Sequence, residues 1–147
     1  MDLLSPTLEI SGSALRAQRL RLDAIASNLA NATTTRTDAG GPYKRRSVVF
    51  APDTIDSDFG STLAAMSDEG ARQGVKVVDV VEDQQPPRLV FEPGHPDANE
   101  EGYVAYPNIN PITEMVDLMT ATRAYEANVQ TINASKRMTD AALGIGG

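Results

Sequence analysis

Apolar side chains recur at helical spacing near both ends of the chain and at strand spacing between them. From residue 6 onwards leucines return every seven residues, and apolar residues also occupy two positions three residues later. This first stripe consists of Leu8, Leu15, Leu22, Ile25, Leu29 and Ala32. Ser5 is a good helix cap and Pro6 suits a first helical position. The pattern therefore predicts an amphipathic helix over residues 6–32.

The second periodic segment begins just as clearly. Asn110 is a good cap, Pro111 suits the first helical position and Glu114 falls in the first turn. The spacing then alternates between three and four residues along Met115, Leu118, Thr122, Tyr125, Val129, Ile132, Lys136, Thr139 and Leu143. Val116 and Met119 widen the apolar surface of its first half. The glycines that begin at residue 144 predict the end of this helix.

The residues between the two helices favour short strands. Pro and Gly are frequent there, and they interrupt runs of β-branched and aromatic residues. The runs predict strands at 47–50, 75–81, 88–91 and 102–106. Residues 51–74 combine acidic residues with Gly and Ser, so we expect a long acidic loop there.

These elements define an α+β chain with three segments. Residues 1–36 and 111–147 each hold a helix of about 40 to 50 Å, and residues 37–110 form a small, irregular, β-rich middle region. Two such helices cannot enclose their own apolar faces. We therefore expect them to pair as an axial coiled coil and to order fully only when other subunits cover them.

Charge and composition exclude several classes of protein. The net charge is −7, and residues 37–110 carry all of it, with six basic and thirteen acidic groups. The one basic cluster, residues 44–46, lacks a wider basic field, so no nucleic-acid partner is expected. No apolar run reaches the length of a membrane span, and the N-terminus lacks the pattern of a cleaved signal peptide.

Side chains for catalysis are scarce. The chain has no cysteine and a single histidine, His95, in the turn-forming sequence PGHPDAN at residues 93–99. A structural turn explains that histidine better than a catalytic triad does. The acidic pairs at 82–83 and 100–101 are likewise better explained as turn residues than as hydrolase carboxylates. We expect no catalytic, cofactor or metal site, and no enzyme activity.

Six segments, in order along nearly the whole chain, carry a family resemblance. SNLANAT at residues 27–33 resembles the signature that closes the N-terminal helix of bacterial flagellar rod and hook proteins. The other five resemble the proximal-rod members of that family. They are GPYKRRSVVF at 41–50, PGHPDAN with GYV at 93–104, PNIN at 107–110, EMVD at 114–117 and RAYEAN at 123–128.

The resemblance implies a structural subunit of the flagellar drive shaft, which transmits torque from motor to hook. Such proteins leave the cytoplasm uncleaved through the flagellar type III export apparatus and assemble in the periplasm. The implied partners are further copies, other rod proteins and that apparatus, together with membrane-ring and export-gate proteins at the rod base as candidates. Residues 51–74 carry no recognised motif of the family.

Assembly residues are predicted from the helical stripes and from asparagines able to bond backbone groups. They are Leu8, Leu15, Leu22, Ile25, Asn28, Leu29, Asn31, Met115, Leu118, Met119, Tyr125, Asn128, Val129 and Ile132.

Three other hypotheses stay open at this stage. A needle or inner-rod protein of another type III system would share the terminal helices but would not need the Pro-rich middle region. A periplasmic binding module would place its function in residues 42–110. A cell-wall hydrolase using carboxylates has the least support.

Overall fold

A computed structural model describes residues 4–54 and 73–145. Along these residues one helix precedes four short strands and a second helix follows them, which agrees with the predicted α+β class. The elements are α1 (Leu4–Ala30), β1 (Arg46–Thr54), β2 (Gln73–Glu82), β3 (Arg88–Phe91), β4 (Tyr103–Tyr106) and α2 (Pro111–Ile145).

Helix α1 is shifted toward the N-terminus relative to its predicted bounds of 6–32. It begins at Leu4, so Ser5 is not its cap and Pro6 lies within the first turn. A proline is accepted there because the first N–H groups of a helix have no intrahelical partner. The helix ends at Ala30, and Asn31 follows with its Nδ2 donating to the carbonyl of Ser27 at 2.9 Å. The same carbonyl also accepts the backbone N–H of Asn31 at 3.1 Å, so two bonds hold this residue against the last turn of the helix.

Helix α2 begins where the sequence predicts it. The Oδ1 atom of Asn110 accepts a hydrogen bond from the N–H of Ile112 at 3.0 Å, and Pro111 is the first helical residue. Of the three glycines predicted to end the helix, Gly144 lies inside it, and the last helical residue is Ile145, directly before Gly146. A single glycine weakens a helix by only about 1 kcal/mol and need not end it.

Strands β1 and β2 form a two-stranded sheet and are longer than predicted. The expected loop over 51–74 is wrong at both ends, because β1 runs to Thr54 and β2 starts at Gln73. The remainder of that predicted loop, residues 55–72, lies outside the described residues. Pro52 fits inside β1 because both strands of a two-stranded sheet are edge strands. Pairing between β1 and β2 keeps residues at both ends of this segment in strands. The local composition gives no information about that pairing.

Strands β3 and β4 form an antiparallel hairpin in which Leu89 pairs with Ala105 and Phe91 with Tyr103. Its turn depends on Gly102, which has a φ of +83°. A Cβ atom at that position would lie 2.9 Å from Cε2 of Phe91, which is closer than carbon atoms can pack. The glycine is therefore required both by its backbone angle and by the ring that covers it.

The histidine of the PGHPDAN sequence has a structural position. His95 Nδ1 accepts a hydrogen bond from the backbone N–H of Asp97 at 3.1 Å. The carboxylate of Asp97 in turn accepts a bond from the hydroxyl of Thr35 at 2.8 Å and lies 3.8 Å from the guanidinium of Arg36. The turn is thus attached to the segment that follows α1.

The chain divides into two compact units. The terminal unit comprises the described parts of residues 1–20, 49–79 and 122–147, and the central unit comprises residues 21–48 and 80–121. The fully buried apolar side chain of the hairpin, Val104, belongs to the central unit. Pairing of the two helices as an axial coiled coil stays a prediction.

Candidate assembly interface

Asn28 is fully buried in the central unit and uses all of its hydrogen-bonding capacity. Its Nδ2 donates to the carbonyl of Arg46 at 2.8 Å and to Oε2 of Glu114 at 3.1 Å. Its Oδ1 accepts the N–H of Arg46 at 2.8 Å and the hydroxyl of Tyr43 at 3.3 Å. Two donors and two acceptor positions are what an asparagine amide offers. Asn28 therefore connects the last turn of α1, the start of β1 and the first turn of α2.

Glu114 is the charged member of this arrangement, and its side chain is only 1% exposed. Nε of Arg45 donates to its Oε1 at 2.6 Å, which is a short, charge-assisted hydrogen bond. Arg45 also lies 3.7 Å from the carboxylate of Asp117, and Arg21 lies 4.0 Å from that same carboxylate. We call Asn28, Tyr43, Arg45 and Glu114 the polar cluster. A buried carboxylate is tolerated here because it is both paired and hydrogen-bonded.

The polar cluster has a consequence for the first three turns of α2. At 3.6 residues per turn, Glu114 and Ala121 lie on the buried side of the helix, where they are 1% and 0% exposed. Ile112, Met115, Val116 and Met119 lie within an arc of roughly 100° on the opposite side. These four apolar side chains are between 45% and 68% exposed. We call them the outward stripe.

The amphipathic order of this helical segment is thus the reverse of the usual one. A surface helix of a self-contained protein directs its apolar side inward and its charged side outward. Here a carboxylate is buried within the chain and four large apolar side chains are uncovered. Exposed apolar patches of this kind are typical of surfaces that bind another molecule.

The predicted assembly residues occupy different environments. Leu8, Met115 and Met119 are exposed, whereas Ile25 and Asn28 are buried within the chain itself. The remaining nine are half-buried: Leu15, Leu22, Leu29, Asn31, Leu118, Tyr125, Asn128, Val129 and Ile132. Their role between subunits stays a prediction.

The asparagines bond backbone groups in the way the sequence suggested. Asn28 contacts both backbone groups of Arg46, Asn31 bonds the carbonyl of Ser27, and Asn128 bonds the carbonyl of Ala124 at 2.8 Å. Asn31 and Asn128 act within their own helical turn or at its end. Asn28 alone of these three joins separate elements.

Sequence reasoning missed several parts of the site. Ile112 was not among the predicted residues, and Glu114 was noted only for its place in the first turn of the helix and in the EMVD segment. Tyr43 and Arg45 were noticed only as parts of the GPYKRR segment. Nothing local indicates that Arg45 meets Glu114 across about 70 positions of the chain, or that the hydroxyl of Tyr43 bonds Asn28. Their polarity amid turn-forming residues gives no signal of burial, because turns are commonly polar and exposed.

The central unit also contains a groove with a volume of about 130 Å³. Pro42, Tyr43, Pro87 and Pro107 supply its apolar walls, and Lys44 and Asp83 are among its polar residues. It lies in the region where a binding module would place its ligand. Within residues 4–54 and 73–145, the acidic and histidine side chains form no cluster able to hold a metal ion.

Neither helix, over its described residues, combines the length and the apolar character that crossing a membrane requires.

Comparison with known protein families identifies the class. The family model described as "Flagella basal body rod protein" matches residues 8–36, which include most of α1 and the SNLANAT segment. A second model, "Flagellar basal body rod FlgEFG protein C-terminal", matches residues 100–145, which include α2 and Glu114. The two segments that meet at the polar cluster are therefore both characteristic of flagellar basal-body rod proteins.

Comparison with individual proteins narrows the class to one member. The chain is 42% identical to the flagellar basal-body rod protein FlgC of Borreliella burgdorferi, over 99% of this chain and 98% of that protein. It is 48% identical to FlgC of Bacillus subtilis, over 95% and 96% of the two chains. FlgC of Escherichia coli O157:H7 is 43% identical over 94% of each. The chain belongs to the FlgC family of flagellar basal-body rod proteins.

Proposed function

We propose that this chain polymerises through surfaces that its own fold leaves uncovered on its terminal helices, and that it forms part of the proximal rod. As a member of the FlgC family, it is a structural subunit of the flagellar basal-body rod. The observation that carries the proposal is the outward stripe of α2, four exposed apolar side chains held opposite a buried carboxylate.

The energetics of the stripe favour assembly. Fully burying a large apolar side chain contributes about 1.5 to 3 kcal/mol. Four partly exposed side chains thus supply several kcal/mol when another subunit covers them. The polar cluster holds this part of α2 before assembly, so the helix loses little further conformational entropy on binding.

Torque transmission requires a subunit that resists twisting. Many moderate apolar contacts distribute the load along the helices, and directional hydrogen bonds such as those of Asn28 oppose sliding, which apolar contacts alone permit. A buried, fully bonded amide between three elements suits such a shaft. In this proposal the shaft connects the motor's membrane ring to the hook.

The partners follow from this role. They are further copies of the chain and other rod proteins, with membrane-ring and export-gate proteins as candidates at the rod base. We propose that the flagellar type III apparatus exports the chain uncleaved and that it assembles in the periplasm. A subunit whose role is mechanical needs no cofactor, and we expect no catalytic activity.

The outward stripe provides the test. Met119→Asp places a charge on the stripe, so a cell that carries it as its only copy should export the protein but lose swimming motility and complete basal bodies. Thr113→Asp is the matched control, because Thr113 is exposed on the same helical turns but lies off the stripe. Both variants should unfold at nearly the wild-type temperature. Normal swimming by the Met119→Asp strain would contradict the proposal.

A further inference from the structure

The β3–β4 hairpin has a second uncovered apolar surface in the central unit. Leu89, Phe91 and Tyr103 lie on one face of the hairpin and are 63%, 61% and 40% exposed. Val104, on the opposite face, is completely buried, which fixes which face the hairpin presents. We call these three exposed side chains the hairpin patch.

The hairpin patch is rigid and has an acidic end. The rings of Phe91 and Tyr103 pack edge to face with centroids 5.3 Å apart, and Gly102 lies directly beneath Phe91. Glu100 and Glu101 immediately precede that glycine and are exposed. The patch is therefore a preformed aromatic and aliphatic surface with two carboxylates at the turn.

The outward stripe of α2 is complementary to this surface in apolar character and in charge. Ile112 to Met119 spans about 10 Å at 1.5 Å per residue, and Leu89 to Phe91 spans about 7 Å along the strand, so the stripe can cover the whole patch. Arg123 follows one turn after Met119 on the same side of the helix and is exposed. Each surface thus combines an apolar area with charge at one end, and the two charges are opposite.

We propose that the hairpin patch of one copy receives the outward stripe of a second copy, with Arg123 placed against Glu100 and Glu101. The inference rests on the proposed polymerisation and specifies the contact that produces it. The contact joins two different surfaces, so each copy keeps one free hairpin patch and one free stripe. Contacts of that kind close into a ring or continue as a helical filament.

Cysteine cross-linking tests this pairing, because the chain contains no cysteine of its own. One full-length variant carries Leu89→Cys on the hairpin and a second carries Ile112→Cys on the stripe. Both residues lie at the end of their surface away from the charged pair, and both are more than 60% exposed, so neither change should impair folding. The two variants are mixed, concentrated and oxidised with oxidised glutathione. Sedimentation of the same samples measures polymerisation separately.

We expect the mixed disulfide to exceed either self-disulfide at least fivefold. The control is Thr113→Cys in place of Ile112→Cys, which moves the thiol about 100° around the helix and should remove the excess. Adding Arg123→Glu to the stripe variant should lower the yield, and Glu100→Arg with Glu101→Arg in the hairpin variant should restore it.

The outcomes separate the two proposals. Polymer that sediments without excess mixed disulfide overturns the pairing and leaves polymerisation standing. Self-disulfides in excess also overturn the pairing, because they indicate a symmetric contact. Copies that stay monomeric at every concentration and form no mixed disulfide overturn both.

Discussion

At the scale of single residues, the buried side chain of Asn28 joins three elements of the central unit. Its amide bonds both backbone groups of Arg46, one oxygen of Glu114 and the hydroxyl of Tyr43. No other side chain has that combination, since it needs two donors and a carbonyl oxygen on a short stem. Each partner left unbonded after a substitution costs about 1 to 3 kcal/mol when it is buried.

Substitution of Asn28 should therefore be costly. Asn28→Ala should lower the free energy of unfolding by about 3 kcal/mol or more, as measured by urea denaturation of the monomer. Asn28→Asp should cost more at neutral pH despite its similar size, because it removes both donors and places a second carboxylate beside Glu114. Asn31→Ala is the control. The Asn31 side chain makes two part-buried bonds at the helix end, to the carbonyl of Ser27 and from the hydroxyl of Thr34, so its loss should cost only about 1 kcal/mol. Equal losses at the two asparagines would contradict this account.

At the scale of elements, the same helix serves two surfaces. The buried side of α2 is held by Glu114 and Ala121, while its outward stripe stays uncovered. The hairpin behaves similarly, with Val104 buried on one face and an aromatic pair exposed on the other. Each element is thus anchored by a small inner contact and presents a larger apolar surface outward, as an assembling subunit requires.

Gly102→Ala tests the hairpin as an element. The new methyl group would meet Phe91 and Pro93 at 2.9 and 3.2 Å, and the positive φ strains any residue with a Cβ. We expect a lower unfolding temperature and, if the hairpin patch is a contact surface, weaker polymerisation. Gly94→Ala is the matched control, because nothing lies within 4 Å of its Cβ position. A Gly102→Ala protein as stable as the Gly94→Ala protein would show that the turn tolerates the change.

At the scale of the whole molecule, residues 4–54 and 73–145 contain little apolar interior. Four apolar side chains are buried there, Ala17, Ile25, Val104 and Ala121, and buried serine, asparagine and glutamate side chains accompany them. Fifteen large apolar residues are exposed over the same ranges. We therefore expect the subunit to gain further stability when neighbours cover those residues in the proposed assembly.

Hydrogen exchange should report that difference. In a dilute monomer, the N–H of Arg46 should exchange slowly because it is bonded to the buried Asn28, while the C-terminal half of α2 should exchange quickly. On assembly, exchange should slow most along residues 111–122 and along α1. Mass spectrometry of the sedimented polymer and of the monomer measures both. Unchanged exchange in those helices after assembly would contradict the proposed interface.

Residue types within a short stretch of sequence are sufficient to predict where most of the helices and strands lie. The capping of α2 by Asn110 and the strand at 88–91 are predicted correctly, because a cap or a β-branched run acts within a few residues. The bounds of α1 are missed by two residues, and the predicted acidic loop loses both of its ends to β1 and β2. Pairing between β1 and β2 determines where the loop begins and ends, and the local composition does not predict that pairing.

The candidate interface also has features that the sequence predicts and features that only the structure shows. Periodicity alone identifies Met115 and Met119 as apolar positions of a helix, and the motif segments alone indicate the rod family. Only the tertiary structure decides which side of α2 faces inward, because that depends on Arg45 and Asn28 meeting a carboxylate about 70 and 86 positions away. A helical pattern in the sequence shows which residues share a face of the helix, but not which segments of the chain pack against that face. The burial of Glu114, and with it the exposure of the apolar stripe, therefore follows from packing rather than from local sequence.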